Sequence, residues 1–232
     1  MNKILITPAL NVFEHMALDE ETVRFFTEGV FLRFYRWSSE TALTFGYSQN
    51  MGEVEKAMQI KAFQADFTRR PTGGGIVYHE GDLTFSLVFS SRATPSDIYA
   101  GLHSFIQAEL AKTGAVSQRF DRSLPATAYA PSVNHQASAC FIRPVENDLL
   151  AQDGQKILGG AIRRFGERVL YQGSLQYASA RENTVFKKAI ILAVRNFLAT
   201  DMFPSRVPEK LLSAARILAK NQYCTDSWKR KF

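Results

Sequence analysis

The segment from Pro95 to Lys112 is the clearest helix in the sequence, and it separates two blocks of residues that favour β-strands. Thr94 is suited to cap this helix, Pro95 to its first position, and Gly114 to its end. Its apolar residues recur at helical spacing and fall on one face. A helix of this kind needs an apolar surface to cover, and the neighbouring β-rich blocks supply one.

The rest of the chain divides into predicted strands and predicted helices. The predicted strands are 30–36, 41–45, 76–78, 83–90 and several within 140–177. The predicted helices are 13–28, 53–65, 184–200 and 208–221. Strands 76–78 and 83–90 are expected to form a hairpin through Glu80-Gly81-Asp82. The pattern predicts an α/β (α+β) fold, a mixed β-sheet flanked by helices, and leaves the strand order open.

Composition and charge restrict the classes of function. The chain has 232 residues, 46% of them hydrophobic, which is ordinary for a soluble globular protein. It contains no apolar run near the roughly 18 residues that span a bilayer, and no signal core at its start, so we expect a cytoplasmic protein with no membrane partner. The formal net charge is +6, but the basic residues are scattered. This charge favours an acidic protein partner over nucleic acid.

Three consecutive glycines, Gly73, Gly74 and Gly75, follow Arg69-Arg70-Pro71-Thr72 and precede Ile76-Val77-Tyr78-His79. Glycine lacks a Cβ, so a ligand can approach the backbone closely and its N–H groups can bind an anionic or carbonyl oxygen. The two arginines are candidates to neutralise a phosphate or carboxylate, and His79 either orients a ligand or hydrogen-bonds at a strand end. The spacing fits neither the dinucleotide fingerprint nor the P-loop. We favour a binding loop over the alternative, a flexible turn entering a strand.

Cys140 and Lys156 are candidates for nucleophilic catalysis. A catalytic thiol needs a lowered pKa, which a nearby cation provides, and Lys156 follows Cys140 by sixteen residues. The turn at Asp153-Gly154 does not by itself bring the two together, so their contact is a tertiary prediction. The alternatives are a small buried thiol and a solvated lysine. No group of His, Cys and carboxylate residues has zinc-type spacing, so no metal site is predicted.

Five blocks of sequence, in order, resemble the lipoate–protein ligase and octanoyltransferase family. They are His15–Glu20, Tyr35–Gln49, Arg69–His79, Lys156–Arg164 and Tyr171–Leu175. The resemblance implies the fold of the related biotin protein ligases, a mixed sheet flanked by helices of the class II synthetase type. It also implies one catalytic domain, 1–232, without an accessory C-terminal domain.

The resemblance implies an eight-carbon acyl chain in an apolar tunnel, with its carbonyl end held by Lys156 and the glycine loop. The implied substrate-binding residues are Arg70, Thr72, Gly73, Gly74, Gly75, His79, Gly159, Gly160 and Ala161. The implied acceptor is a lysine of a lipoyl domain of a 2-oxoacid dehydrogenase, or of the glycine-cleavage H protein. These acceptors and the acyl carrier protein tend to be acidic in this family, which suits the basic charge here.

Two chemistries occur in the family. Cys140-Phe141-Ile142-Arg143-Pro144 resembles the Cys-Phe-x-x-Pro segment of octanoyltransferases, which implies a thioester on Cys140 and no cofactor. Asn147-Asp148 instead resembles the ligase motif, which implies ATP and magnesium placed with the help of these two residues. Gly160 stands where many members have serine. We expect an octanoyltransferase with catalytic Cys140 and Lys156; the alternatives are an ATP-dependent ligase and an inactive acyl-binding module.

Overall fold

The computed structural model describes residues 2–121, 144–177 and 179–232. The strands in these ranges are β1 (Lys3–Ile6), β2 (Phe31–Phe34), β3 (Ala42–Phe45), β4 (Phe67–Arg69), β5 (Val77–His79), β6 (Leu83–Ser90), β7 (Gln118–Arg119), β8 (Leu149–Leu150), β9 (Lys156–Phe165), β10 (Arg168–Leu175) and β11 (Phe203–Arg206). The α-helices are α1 (Val12–Phe25), α2 (Met51–Lys61), α3 (Pro95–Ala111), α4 (Thr184–Leu198), α5 (Glu209–Leu218) and α6 (Asp226–Lys229). A single π-helical turn, Ala219–Tyr223, continues α5.

The strands form two sheets. The larger has the order β11-β1-β2-β6-β10-β9-β8-β7, and the smaller has the order β4-β3-β5. In the larger sheet β1 runs parallel to β2 and β11, whereas β2, β6, β10, β9, β8 and β7 pair antiparallel in turn. This mixed sheet, with helices on both faces, confirms the predicted fold class.

Strand β6 shows how the sequence assigns the two faces of the larger sheet. Its odd-numbered residues, among them Phe85 and Leu87, join α3 and α4 in the main apolar core. On the opposite face, Val88 of β6 and Leu170 of β10 belong to one apolar cluster with Val23 of α1. Alternate side chains of a strand point to opposite faces. Apolar side chains of β6 are buried on each face, so both faces of this strand are covered. The site described below lies on the α1 face.

Helix α3 matches its prediction closely. Thr94 and Asp97 form a capping box, and Pro95 occupies the first turn. Ile98, Leu102, Ile106 and Leu110 are fully buried; each side chain contributes about 1.5–3 kcal/mol by leaving water. No helix in the described part of the chain is long and apolar enough to cross a membrane.

The expected hairpin between residues 76–78 and 83–90 is wrong. Strand β5 pairs with β3 in the smaller sheet, while β6 pairs with β2 and β10 in the larger one. Both edges of β6 are therefore occupied, and β5 has no edge of β6 to pair with. Glu80-Gly81-Asp82 carries the chain from one sheet to the other, and this crossing creates the space between the sheets.

Candidate functional site

A pocket lies between the two sheets and is bordered by α1. Strands β9, β10 and β6 form one wall, and β3 and β5 form the other. The lining residues are Met16, Tyr35, Thr44, Arg70, Val77, His79, Thr84, Gly159, Gly160, Ala161, Gln172, Gly173 and Ser174. Small residues on β9 and β10 leave this space open between the sheets.

Asp19 of α1 organises the polar groups on one side of the pocket. Its buried carboxylate accepts hydrogen bonds from Tyr35 Oη, from Gln172 Nε2 at 2.7 Å and from Ser86 Oγ at 2.6 Å. It also forms a buried ion pair with Arg33. Burial raises the pKa of Tyr35 well above 10, so the hydroxyl remains a donor to Asp19. The Asp19 charge is compensated from several directions, as a buried carboxylate requires.

Asp82 has the same role on the other side. Its Oδ2 accepts from His79 Nδ1 at 2.9 Å, from Thr84 Oγ1 at 2.7 Å and from Ser174 Oγ at 2.5 Å. The hydroxyl of Thr44 and His79 Nε2 share a hydrogen bond of 3.0 Å. Burial alone would raise the pKa of Asp82, but His79 and the two hydroxyl donors lower it below its usual value.

These two carboxylates explain how polar side chains can line an apolar pocket. The lining hydroxyl and amide groups of Tyr35, Thr84, Gln172 and Ser174 point to Asp19 or Asp82. Their hydrogen-bonding capacity is thus used inside the protein, and their methyl, methylene or ring surfaces face the cavity. A wall of this kind accommodates a hydrocarbon chain while these four side chains keep their hydrogen bonds.

The glycine loop is held in place by hydrogen bonds and by close packing of its backbone. Thr72 Oγ1 donates to Gln172 Oε1 at 2.6 Å, and Arg70 Nε donates to the Gly73 carbonyl at 3.0 Å. Gly74 has φ of 90°, a conformation that favours glycine. A Cβ on Gly46 would overlap the carbonyl oxygen of Gly74. The loop thus depends on glycine for backbone conformation and for close packing.

Arg69 and Arg70 have different roles, although the sequence suggested both as anion ligands. The Arg69 guanidinium is bonded to the backbone carbonyls of Tyr47, Gln49, Trp228 and Lys229, and it does not line the pocket. Trp228 Nε1 donates to the Arg69 carbonyl at 2.8 Å. Arg69 is therefore a structural residue that joins the glycine motif to the C-terminal segment. Arg70 is the arginine of the pair that lines the pocket.

Lys156 begins β9, and its ammonium forms an ion pair with Asp148, Nζ to Oδ2 2.8 Å. The two side chains are only 3% and 4% exposed. Val145 N also donates to Asp148 at 2.7 Å. Burial raises the pKa of Asp148, and Lys156 offsets only part of that shift. Three residues after Lys156, β9 reaches the pocket at Gly159.

The structure brings some of the candidate residues together and separates others. Arg70, His79, Gly159, Gly160 and Ala161 line the pocket. Thr72, Gly73, Gly74, Gly75 and Lys156 do not line it. Thr72 and Gly73 are hydrogen-bonded to the lining residues Gln172 and Arg70, and Lys156 is paired with Asp148. Asn147 is buried next to Asp148, and Cys140 lies outside the described residues. Among the described residues, no group of three or more His, Cys, Asp or Glu side chains is arranged to hold a metal ion.

Sequence reasoning did not identify most of the pocket wall. The missed lining residues are Met16, Tyr35, Thr44, Val77, Thr84, Gln172, Gly173 and Ser174. One signal was available: Gln172 and Ser174 are two apart in a largely apolar strand, as are Thr84 and Ser86. On a sheet covered on both faces, polar side chains at alternate positions need buried partners or a ligand.

Comparison with known proteins gives a consistent result. The family model described as the lipoyl protein ligase A/B catalytic domain matches residues 11–209. Octanoyltransferase LipM of Oceanobacillus iheyensis is 31% identical over 166 residues, which are 69% of this chain and 58% of that protein. Octanoyltransferase LipM of Anoxybacillus flavithermus is 30% identical over 176 residues, 73% of this chain and 61% of that protein. The chain thus spans about three fifths of the length of these curated relatives.

A solved structure shares the fold. It is Ta0514 of T. acidophilum, a candidate lipoate protein ligase with bound lipoic acid. The TM-score is 0.76 at 23% identity, and the match covers 100% of this chain and 98% of that one. At this identity the likeness describes the fold.

Proposed function

Because this chain belongs to the lipoyl protein ligase A/B catalytic domain family, we propose that it is a protein octanoyltransferase. It transfers an octanoyl or lipoyl group to a lysine of a lipoyl domain or of the glycine-cleavage H protein. The observation that carries this proposal is the pocket, whose polar side chains are hydrogen-bonded to Asp19 and Asp82. Its wall includes β9, the strand that begins with Lys156. The relatives named octanoyltransferase LipM support the same reaction.

The proposed chemistry uses Cys140 as the nucleophile and octanoyl-acyl carrier protein as the donor. The Cys140 thiolate, favoured by the Lys156 ammonium, attacks the thioester carbonyl. A new thioester forms on Cys140, and the carrier leaves as its thiol after taking up a proton. The acceptor lysine amine then attacks, an amide forms, and Cys140 leaves as the thiol with the proton that the amine gives up. Backbone N–H groups near Gly74, Gly75 and Gly160 are the proposed stabilisers of the oxyanion.

The contacts of Asp148 favour the transferase over the ATP-dependent ligase. In the ligase scheme Lys156 would bridge the acyl carboxylate and the α-phosphate, Arg70 would contact phosphate, and Asn147 with Asp148 would help to place magnesium. Asp148 is instead buried in an ion pair with Lys156 and accepts from Val145 N. The negative charge that would attract magnesium is thus already compensated by the Lys156 ammonium. We therefore propose that the reaction needs no ATP or metal ion.

The test is the mass of the intact protein after incubation with octanoyl-acyl carrier protein in the absence of ATP. We expect a hydroxylamine-sensitive octanoyl adduct on the wild type and on Cys224→Ala. The latter is a matched control, because Cys224 is an exposed free thiol. Cys140→Ala should carry no adduct and should not transfer the acyl group.

Two results would contradict the proposal. The first is no adduct, together with ATP-dependent transfer of free octanoate or lipoate to a lipoyl domain, which would identify a ligase. The second is tight octanoate binding with no transfer from either donor, which would identify a binding module.

A further inference from the structure

His103 of α3 is buried outside the pocket and is hydrogen-bonded at both ring nitrogens. Its Nδ1 lies 2.6 Å from the Asn147 carbonyl oxygen, and its Nε2 lies 2.8 Å from the Tyr171 hydroxyl. A carbonyl only accepts, so Nδ1 carries the hydrogen and Nε2 accepts from Tyr171. Burial lowers the pKa of His103 to about 4 and raises that of Tyr171 well above 10. Both groups are therefore neutral near pH 7, and the direction of both hydrogen bonds is fixed.

The Asn147 carbonyl belongs to a turn that several hydrogen bonds hold in an uncommon conformation. Asn147 has φ of 73°, which a residue with a side chain seldom adopts. Its N–H donates to the Phe120 carbonyl at 2.8 Å, and Phe120 N donates to the Asp148 carbonyl at 2.8 Å. Asp148 N donates to the Val145 carbonyl at 3.0 Å. The turn directs the Asp148 carboxylate to Lys156.

Tyr171 connects the same group of residues to the pocket wall. A Cβ built on Gly160 would lie 2.5 Å from the Tyr171 hydroxyl oxygen, so the tyrosine ring occupies the space of a side chain at this position. Gly160 lines the pocket. The hydroxyl end of the Tyr171 ring thus lies between Gly160 of β9 and His103 of α3.

We propose that His103 is a positioning residue for acyl transfer: through the Asn147 turn it fixes Asp148, and thereby the Lys156 ammonium. The inference rests on the proposed function, in which Lys156 acts at the acyl carbonyl. His103 is not among the residues that line the pocket. Its effect reaches the reaction through one hydrogen bond, from Nδ1 to the Asn147 carbonyl. The hydrogen bond from Tyr171 ensures that Nδ1 is the protonated nitrogen.

Two amide substitutions separate this role from a general contribution to folding. The side-chain nitrogen of His103→Asn can occupy the position of Nδ1 and donate to Asn147, whereas that of His103→Gln reaches the position of Nε2. We expect H103N to keep most of kcat and H103Q to lose about tenfold or more, because small displacements of a catalytic group are costly. KM for the acyl donor should change little in either variant. Ile106→Val, a buried change one turn further along α3, is the control; it should lower stability and leave kcat unchanged.

A second readout does not depend on turnover. In the ion pair, exchange of the Lys156 ammonium protons with water is slow, so we expect its ¹⁵N-lysine NMR signal in the wild type and in H103N. In H103Q the signal should broaden or disappear. If H103Q does not fold, His103→Leu replaces it, because leucine fills much of the same space and cannot donate to the Asn147 carbonyl.

The outcomes distinguish the two proposals. Equal kcat values and equal Lys156 signals in H103N, H103Q and the wild type would overturn the positioning role while the proposed function stands. If the wild-type protein does not transfer acyl groups, the proposed function is refuted. The positioning of Lys156 by His103 is still supported in that case if the Lys156 signal is lost in H103Q and kept in H103N.

Discussion

Mild acid should destabilise the protein by protonating His103. The pKa of this buried residue is about 4, because burial disfavours the charged ring, while a histidine in the unfolded chain has a pKa of 6.5. The unfolded state binds the proton more readily, so stability is lost as the pH falls from 6.5 towards 4. These two pKa values give a loss of about 2 kcal/mol by pH 5 and about 3 kcal/mol by pH 4. The contribution is fully present above pH 7.

The assay is urea unfolding of the wild type and of H103N at pH 7.5 and pH 5, followed by tryptophan fluorescence. The wild type is compared with H103N because burial also lowers the pKa of His15. Both proteins contain His15, so its contribution cancels in the difference between them. From pH 7.5 to pH 5, the wild type should lose about 2 kcal/mol more than H103N. Ile106→Val should show a stability difference from the wild type that is the same at both pH values. A wild-type-to-H103N difference that does not depend on pH would refute the argument.

Three further predictions concern the site and its supports. Lys156→Ala should abolish acyl transfer in a coupled transfer assay; transfer near the wild-type rate would contradict the role of Lys156. The same change leaves the Asp148 carboxylate buried without its cation, so it should also lower the unfolding free energy by about 3–5 kcal/mol. Arg69→Lys keeps the charge but lacks the planar fork that reaches several carbonyls, so thermal unfolding should show a loss of about 2 kcal/mol or more, whereas Lys188→Arg should change stability little. Gly46→Ala should displace Gly74 and reduce octanoate binding, measured by calorimetry. Gly73→Ala is the control: its added methyl meets no atom within 4 Å, so this variant should bind octanoate about as well as the wild type.

The elements with strong local signals could be predicted from the sequence. Helix α3 has its cap, its first-turn proline and its apolar face within one segment, and the prediction of 95–112 differs from Pro95–Ala111 by one residue. The β9–β10 hairpin was marked by Phe165-Gly166. The pairing of β5 could not be predicted in this way, because it depends on β3, more than thirty residues away. Strand partners depend on which sheet edges remain free, and no local pattern records that.

The residues of the candidate site likewise divide into those with a local sequence signal and those without one. Arg70, His79, Gly159, Gly160 and Ala161 were identified because glycines and charged residues stand out in a sequence, and all of them line the pocket. Asp19, Asp82, His103 and Tyr171 look like ordinary helix, loop or strand residues. Their importance comes from partners far along the chain, as in the bond between Tyr171 and His103.

The pairing of the pocket's polar groups with Asp19 and Asp82 limits how the protein can choose among cargoes. Among the described lining residues, Arg70 aside, the side-chain hydroxyl, amide and imidazole groups already have hydrogen-bond partners inside the protein, so they contribute little to recognising one chain from another. Discrimination then follows length and width, and each methylene is worth about 0.8 kcal/mol, or roughly fourfold in binding. An acyl chain one carbon shorter should therefore be used several-fold less well, without being excluded.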